Sequence, residues 1–376
     1  MEMAPVLELP IEPRSITVQQ ITTIEELESL RNEWMDLWLR CPEATPFQSP
    51  AWLISWWQRW GAGELWVLSL RRGERLVGVA PFHIHQGGPS SETHLMLLGT
   101  GVSDCLDVLL SAEAREQGLQ TILGCLEADA YRWDKVDFQQ LRSGSCLLEM
   151  AVSPDWTSQT SVQEVCPVLR LRGGPDPLGQ SVPRHMLQKL RYARCRLASM
   201  GRVEVTMARP GASSLNLPQA TRNAQATSPG TRNWETRDGD FPELFENFLE
   251  LRRARWAAGG QSGALPAAAL HEFHHDVARG FLSAGALRLY GLRLDGRLIA
   301  DLYAFSHGKR TFYYSGGFDP AYAQLSPGTL MLGWAIEQAI REGNEEFDFL
   351  RGRQAYKYLW GAKGRLNYRR QWHRRA

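Results

Sequence analysis

The chain has 376 residues, of which 43% are apolar and 22% charged, a composition typical of folded globular proteins with two or three domains. Its net charge of +1 gives no bulk electrostatic preference for nucleic acid or an anionic membrane. The 6 cysteines are scattered without a C-x-x-C pair, which favours reduced thiols over a zinc clip or a disulfide framework. We find neither a secretory signal nor an apolar run that could span a bilayer. These features predict a cytoplasmic protein without membrane insertion.

The first half of the chain alternates helix and strand patterns after a loose tail at residues 1–14. A capping box at Thr23–Glu26 predicts a helix through Leu39, and Ser49-Pro50 predicts the start of a tryptophan-rich helix. The remaining patterns predict a hairpin over 65–82, a strand over 106–110, a helix over 113–130 and a strand over 135–141. Strand, helix and strand in that order indicate a crossover connection.

The second half repeats this order. A basic helix is predicted over 183–200, then a low-complexity loop at about 208–240 and helices over 241–257 and 266–283. A hairpin turning at Asp295-Gly296 follows, then a strand over 310–315, a helix, a strand over 346–350, a short helix and a closing strand over 366–372. The segment 65–80 echoes 287–300. We therefore predict two copies of one β-α-β unit, in domains 15–170 and 171–376.

The loop before the last long helix is a candidate anion site. Ser326 suits the N-cap, Pro327 the first helical position, and Gly328 allows close approach of a ligand to the backbone. Free amides at a helix N-terminus attract phosphate groups. The alternative is a well-capped helix with no ligand, because such caps are common.

Polar residues also gather where the strand over 346–350 ends. Asp348 alternates with two phenylalanines on that strand, and Arg351, Tyr356 and Lys357 follow it. The carboxylate is a candidate base and the lysine a candidate oxyanion or phosphate partner. We expect Lys357 to lie outside the core, because an unpaired buried ammonium is costly. The alternative is that these charges form a structural pair supporting the turn.

Three other patterns have simpler interpretations. The sequence His271-Glu-Phe-His-His275 matches a zinc-protease motif but lacks a third ligand downstream, so we expect no metal. The tryptophans at 52, 56, 57 and 60 are more typical of a core stripe than of a stacking platform. Basic residues over 184–196 and 369–375 could follow a polyanion, although a solvated basic face is the default.

In ordered segments across most of its length, the chain resembles the GNAT-fold acyltransferases of the CelD-like branch, relatives of the FemABX peptidyltransferases. These segments are Pro50–Trp57, Val77–Pro81, Gly99 with Asp104, Leu251–Trp256, Tyr313-Tyr314, Gly317–Pro320, Ser326–Gly328, Asp348–Gly352 and Tyr356-Lys357. The resemblance implies an α/β (α+β) protein of tandem GNAT-like domains, each a mixed sheet flanked by helices. It also implies acyl or aminoacyl transfer to an amine, without a metal.

The resemblance further implies roles for individual residues. The donor's phosphates would bind at Gln324, Ser326, Gly328 and Thr329. Asp348 would assist deprotonation of the acceptor, and Lys357 with Tyr356 would stabilise the intermediate or protonate the leaving group. The acceptor cleft would include Arg255, Trp256, Tyr314 and Arg351.

The donor and acceptor follow less directly from the resemblance. The family's phosphate loop carries Gly where this chain has Pro327. The single glycine of this chain, Gly328, comes one place later than that position. Acyl-CoA such as acetyl-CoA and aminoacyl-tRNA both stay open as donors. The CelD-like branch implies an amino sugar or a polysaccharide or envelope precursor as acceptor. A rival hypothesis is a non-catalytic, degenerate GNAT pair that binds a glycan or nucleic acid. No pattern indicates the oligomeric state.

Overall fold

A computed structural model describes residues 15–87, 91–208, 234–259 and 267–375, with backbone alone at 253–259 and 267. The predicted tail at 1–14 lies outside these residues. So does most of the predicted low-complexity loop, whose last part, Trp234–Gly239, is a strand.

The strands are β1 Thr17–Ile21, β2 Glu64–Arg72, β3 Arg75–Gln86, β4 Thr93–Leu97, β5 Leu109–Leu110, β6 Lys135–Arg142, β7 Trp156–Arg170, β8 Val203–Ala208, β9 Trp234–Gly239, β10 Leu287–Leu294, β11 Arg297–His307, β12 Arg310–Phe318, β13 Glu346–Asp348 and β14 Lys363–Arg374. The helices are α1 Ile24–Ser29, α2 Arg31–Arg40, α3 Pro50–Trp60, α4 Arg115–Ala128, α5 Cys146–Glu149, α6 Pro177–Ser181, α7 Arg184–Ala198, α8 Phe241–Gly259, α9 Ala267–Ser283, α10 Pro327–Arg341 and α11 Ala355–Leu359. Among the described helices, none is long and apolar enough to cross a membrane.

The chain divides into two compact units that are discontinuous in sequence. Unit 1 contains the described residues up to Cys41, Gln48–Ser161 and those from Tyr368 onward, and unit 2 contains Pro42–Phe47 and Val162–Asn367. The chain passes between the units within β7 and β14. The domain limits at 15–170 and 171–376 stay a prediction.

In unit 1 the strand order is β1-β2-β3-β4-β6. The first four strands pair antiparallel, and β4 pairs parallel with β6 through the crossover helix α4. The sequence patterns missed β4, and they placed a strand over 106–110 where only β5 forms. The tryptophan stripe of α3 is largely core, as its spacing indicates: Trp52 and Trp56 are buried.

In unit 2 the strand order is β7-β13-β12-β11-β10-β8-β9. Strands β10, β11 and β12 pair antiparallel, and β12 pairs parallel with β13 after the crossover helix α10. Each unit thus contains a mixed sheet with helices against it, and the two share the order hairpin, third strand, helix and parallel strand.

The hairpins of the two units match in detail. In the hairpin β2–β3 the pairing register shifts after Leu70, and the turn contains Gly73 at φ 59°. In the hairpin β10–β11 the register shifts after Leu292, at the same distance from its turn. Asp295 and Gly296 both have positive φ, as a two-residue type I′ turn requires. The predicted repeat is therefore structural at the level of strand order and hairpin register.

Helix α10 provides much of the core of unit 2. Its residues Leu330, Met331, Trp334 and Ile336 are buried against the α7 side of the sheet. The Trp334 ring stacks on Trp234 with ring centroids 6.2 Å apart. This packing fixes the position of the α10 N-terminus.

We expect Trp334→Ala to lower the free energy of unfolding by roughly 3–5 kcal/mol, because it leaves a cavity between α10 and β9. Urea denaturation followed by circular dichroism measures this change. The control is Tyr192→Ala on α7, where the side chain is 69% exposed. Equal stability of the two variants would show that α10 is not part of this core.

Candidate functional site

Strand β12 loses one of its partners halfway along its length. Strand β13 pairs with it only from Arg310↔Glu346 to Phe312↔Asp348, whereas β12 continues to Phe318. Within the described residues, no strand of unit 2 pairs with this edge of β12 beyond Phe312. The residues from Tyr313 to Gly316 are half-buried. This part of β12 is therefore partly exposed.

A β-bulge lies at the same point. Tyr303 pairs with Ser315 and Ala304 with Tyr313, so Tyr314 is the extra residue of β12. Bulges re-aim side chains and often lie beside active sites. The Tyr314 ring points into an aromatic cluster, with its centroid 5.2 Å from His274 and 6.4 Å from Phe47.

The predicted anion loop lies at the open end of β12. A Cβ atom on Gly328 would lie 3.2 Å from Cδ1 of Phe318, the last residue of that strand. Leu330 donates the first intrahelical bond to the Ser326 carbonyl, so the Gly328 and Thr329 amides precede the intrahelical ladder. The open strand edge and a helix N-terminus are thus contiguous.

The loop differs from the prediction at its cap. The Ser326 side chain makes no capping hydrogen bond, and its backbone is left-handed at φ 55° and ψ 46°. The prediction that Ser326 caps α10 through its side chain is wrong, because the preceding 3₁₀ turn ends at this residue and sets its backbone. Gln324 is exposed, and its carbonyl accepts a hydrogen bond of 2.9 Å from Arg196 Nη1 on α7.

Asp348 is completely buried at the end of β13. Its Oδ1 accepts a 2.8 Å hydrogen bond from the Leu350 amide, and its Oδ2 pairs with Arg365 Nη2. Unit 1 repeats this arrangement, because Arg369 donates to both oxygens of Asp137 on β6 at 2.6 and 2.7 Å. Both oxygens of the Asp348 carboxylate are therefore engaged within the protein.

Lys357 is buried, contrary to the expectation that it lies outside the core. The residue is only 4% exposed, and Nζ donates to the Leu350 carbonyl at 3.2 Å and to the Arg351 carbonyl at 2.7 Å. These carbonyls replace the water that an exposed ammonium would bind. Tyr356, its neighbour on α11, is 42% exposed.

The structure thus forms two groups from the predicted residues of unit 2. Asp348, Arg351 and Lys357 surround the end of β13, and the loop from Gln324 to Thr329 adjoins the open end of β12. Arg255 and Trp256 belong to the backbone of α8, but their side chains lie outside the described residues.

The sequence patterns missed a third group, on the α8 and α9 side of the sheet. It contains Asp301 and Tyr303 of β11 and His274 of α9, all buried. The available signal was a carboxylate within an apolar strand, but the predicted strand ended at Ala300 whereas β11 continues to His307.

The zinc-like motif and the basic stretches have local partners. His271 Nε2 lies 3.3 Å from Glu246 Oε1, and the described residues contain no group of three side chains suited to a metal. In the predicted basic helix, Arg194 forms a buried 2.6 Å ion pair with Glu337. Near the C-terminus, Arg370 donates to the Met150 carbonyl at 2.8 Å and Arg374 to the Ala130 carbonyl. Part of the predicted polyanion surface is therefore engaged within the protein.

Comparison with known proteins gives the same fold. Residues 213–358 match the acetyltransferase (GNAT) domain family. The crystal structure of FemX superposes with a TM-score of 0.63 at 11% identity, covering 94% of this chain and 96% of FemX. The C-terminal domain of a putative lysylphosphatidylglycerol synthetase from Agrobacterium fabrum has a TM-score of 0.53 at 12% identity, with 92% of each chain covered.

A conserved protein of unknown function from Bacteroides thetaiotaomicron has a TM-score of 0.51 at 11% identity, covering 96% of this chain and all of that one. Among curated proteins, none matches the chain in sequence. The predicted fold, a GNAT fold related to that of FemX with mixed sheets flanked by helices, is confirmed.

We expect Lys357→Ala to destabilise the protein by about 1–3 kcal/mol, because it leaves two buried carbonyls without a donor. Thermal melting and urea denaturation measure the loss. The control is Lys363→Ala on β14, where the lysine is exposed. If both variants melt like the wild type, the two carbonyl bonds contribute nothing to stability.

Stability should also fall in mild acid because of His274. Its burial, together with the Arg252 charge, holds the pKa of the imidazole well below 6.5. As the pH falls through 6.5, the unfolded chain therefore binds a proton at His274 that the folded chain does not bind. The free energy of unfolding is highest above pH 6.5 and decreases as the pH falls. Between pH 7 and 5.5 this residue should cost about 1 kcal/mol. Urea titrations at several pH values should give a shallower dependence for His274→Gln than for the wild type, and equal slopes would contradict the assignment.

Proposed function

We propose that this protein is an N-acyltransferase that moves an acyl or aminoacyl group from an activated donor to an amine. The observation that carries the proposal is the contiguity of the open β12 edge with the amides at the α10 N-terminus. The edge offers backbone groups to an extended acyl chain, and the helix end offers amides to phosphate. A single donor that joins an acyl arm to phosphates would occupy both.

The proposed donor is acyl-CoA, with acetyl-CoA as the simplest case. The Gly328 and Thr329 amides would hold its phosphates, with Gln324 and Ser326 at the rim. The loop fits such a group in part, because Pro327 removes one amide from the turn and the Phe318 ring lies against one side of Gly328, which itself adds no side chain. Aminoacyl-tRNA is the second donor, supported by the fold shared with FemX. The internal bonds of Arg370 and Arg374 reduce the basic surface for tRNA and favour acyl-CoA.

In the proposed reaction the neutral amine attacks the donor carbonyl, the bond from that carbon to the thiolate sulfur breaks, and the amine's surplus proton passes to water. Tyr356, the exposed member of the predicted catalytic set, would protonate the leaving thiolate. Asp348 and Lys357 act as positioning residues that hold the end of β13 and the start of α11.

The acceptor would approach from the side of Tyr314 and Arg351, with Arg255 and Trp256 of α8 as further cleft residues. We propose an amino sugar or another precursor of a polysaccharide or the envelope, in keeping with the CelD-like resemblance, and a cytoplasmic site of action. No metal is part of the proposed chemistry.

A second candidate function is a degenerate GNAT pair that binds a glycan or nucleic acid without catalysis. The engagement of both Asp348 and Lys357 in bonds within the protein favours it, because both residues then have a structural role. Donor binding followed by turnover distinguishes the two candidates.

We expect acetyl-CoA to raise the melting temperature of the wild type, because a ligand at 100 times its Kd adds about 2.7 kcal/mol to the free energy of unfolding. Gly328→Val should weaken acetyl-CoA binding at least tenfold by covering the amides, as measured by isothermal titration calorimetry. The control is Gly124→Val on α4, where an added Cβ meets no atom within 4 Å.

Release of free thiol in the presence of amines then reports turnover. Binding without thiol release for any amine would support the binding module. If acetyl-CoA fails to bind, the acyl-CoA proposal is wrong. Retention of aminoacyl-tRNA on filters, weakened by salt, would then identify the other donor.

A further inference from the structure

Helix α11 exposes its apolar side chains and buries its charged one. Tyr356, Tyr358 and Leu359 are 42%, 38% and 47% exposed, whereas Lys357 is 4% exposed. A surface helix ordinarily has the opposite arrangement, with its apolar residues toward the core and its charges in water. Neighbouring apolar side chains that face solvent mark a surface that contacts another molecule or a membrane.

Two buried side chains hold this helix on unit 2. Trp360 belongs to the core of the unit, and Lys357 Nζ donates to two backbone carbonyls that follow β13. Within the segment 353–364, these two residues and Ala362 are buried, and all the others are exposed. The segment therefore projects from unit 2 while its position is fixed from within.

The exposed charges of this segment are positive. Arg353 precedes α11 and Lys363 follows it, and both side chains are exposed. After Asp348 the chain contains no aspartate or glutamate, and Asp348 itself is buried in its pair with Arg365. Among the described residues, neither Arg353 nor Lys363 has an ion-pair partner. The apolar side chains of α11 are thus flanked by two cations that no described acid neutralises.

We propose that the segment 353–364 binds the surface of an anionic lipid bilayer. Tyr358 and Leu359 would enter the headgroup region, where a tyrosine ring is favourable and an aliphatic side chain reaches the acyl chains. Arg353 and Lys363 would pair with lipid phosphates. The protein would adsorb to the surface without crossing it. The inference goes beyond the proposed function, because these four residues have no part in the proposed reaction.

Two features favour a lipid surface over other anionic partners. A single-stranded nucleic acid stacks its bases on aromatic rings, and the aliphatic side chain of Leu359 provides no such ring. Recognition of a protein segment uses a groove or the edge of a sheet, whereas the segment 353–364 projects outward. A projecting segment with exposed apolar side chains between cations suits a fluid, anionic surface.

The test is sedimentation of the full-length protein with two kinds of vesicle, phosphatidylcholine alone and phosphatidylcholine mixed with phosphatidylglycerol. We expect binding to the mixed vesicles to be about tenfold stronger and to weaken as the salt concentration rises. Arg353→Gln combined with Lys363→Gln should remove most of this difference. Tyr358→Ser combined with Leu359→Ser should weaken binding to mixed vesicles about tenfold, with an unchanged melting temperature because both side chains are exposed.

Two matched controls should bind vesicles like the wild type. Leu39→Ser combined with Tyr131→Ser changes two exposed apolar residues of unit 1. Lys189→Gln combined with Arg191→Gln removes two exposed charges from α7. The inference is overturned by absence of binding to the mixed vesicles or by an equal loss in a control and in the α11 variants. It is also overturned if the apolar α11 variant loses retention of tRNA on filters but keeps vesicle binding. Acetyl-CoA calorimetry tests the proposed function separately.

Discussion

The short parallel contact between β12 and β13 is the constraint on which the candidate site depends. β13 has only three residues, and it pairs with β7 on one side and β12 on the other. Strand β12 therefore continues beyond this contact, and among the described residues of unit 2 no strand pairs with that edge past Phe312. In water such an edge must be solvated or covered, because unpaired backbone groups are expensive to bury. The crossover through α10 returns a helix N-terminus to the end of the same strand, so the last residues of β12 and the first amides of α10 adjoin there.

The sequence predicts the elements of this arrangement better than its chemistry. Turn residues such as Asp295-Gly296, the Ser-Pro pair at 326–327 and the apolar period of α10 are local signals, and they locate the hairpin, the loop and the helix. The burial of Lys357 cannot be predicted from its neighbours in sequence. Lys357 lies on α11, whereas the carbonyls that it binds belong to Leu350 and Arg351, which follow β13. The polar group around Asp301 and Tyr303 depends on which face of β11 packs against α8 and α9. This packing is a tertiary property that no short sequence segment predicts.

Both units place a buried aspartate on the strand after the crossover helix and pair it with an arginine of β14. Comparing the two units separates features that belong to the common fold from features described in unit 2 alone. A feature common to both units, such as the pairing of Asp348 with Arg365, supports the sheet within each unit. Features of unit 2 for which unit 1 offers no described counterpart, such as the Tyr314 bulge beside two glycines, are better candidates for chemistry.

The buried ammonium of Lys357 has a consequence for an enzyme that handles activated acyl groups. A lysine close to a reactive donor competes with the true acceptor and would become acylated itself, inactivating the site after a few turnovers. Lys357 is only 4% exposed, and Nζ is held by hydrogen bonds to two carbonyls, so a donor outside the protein has little access to it. In the proposed acyltransferase, this burial in the turn after β13 would protect Lys357 from acylation by the donor.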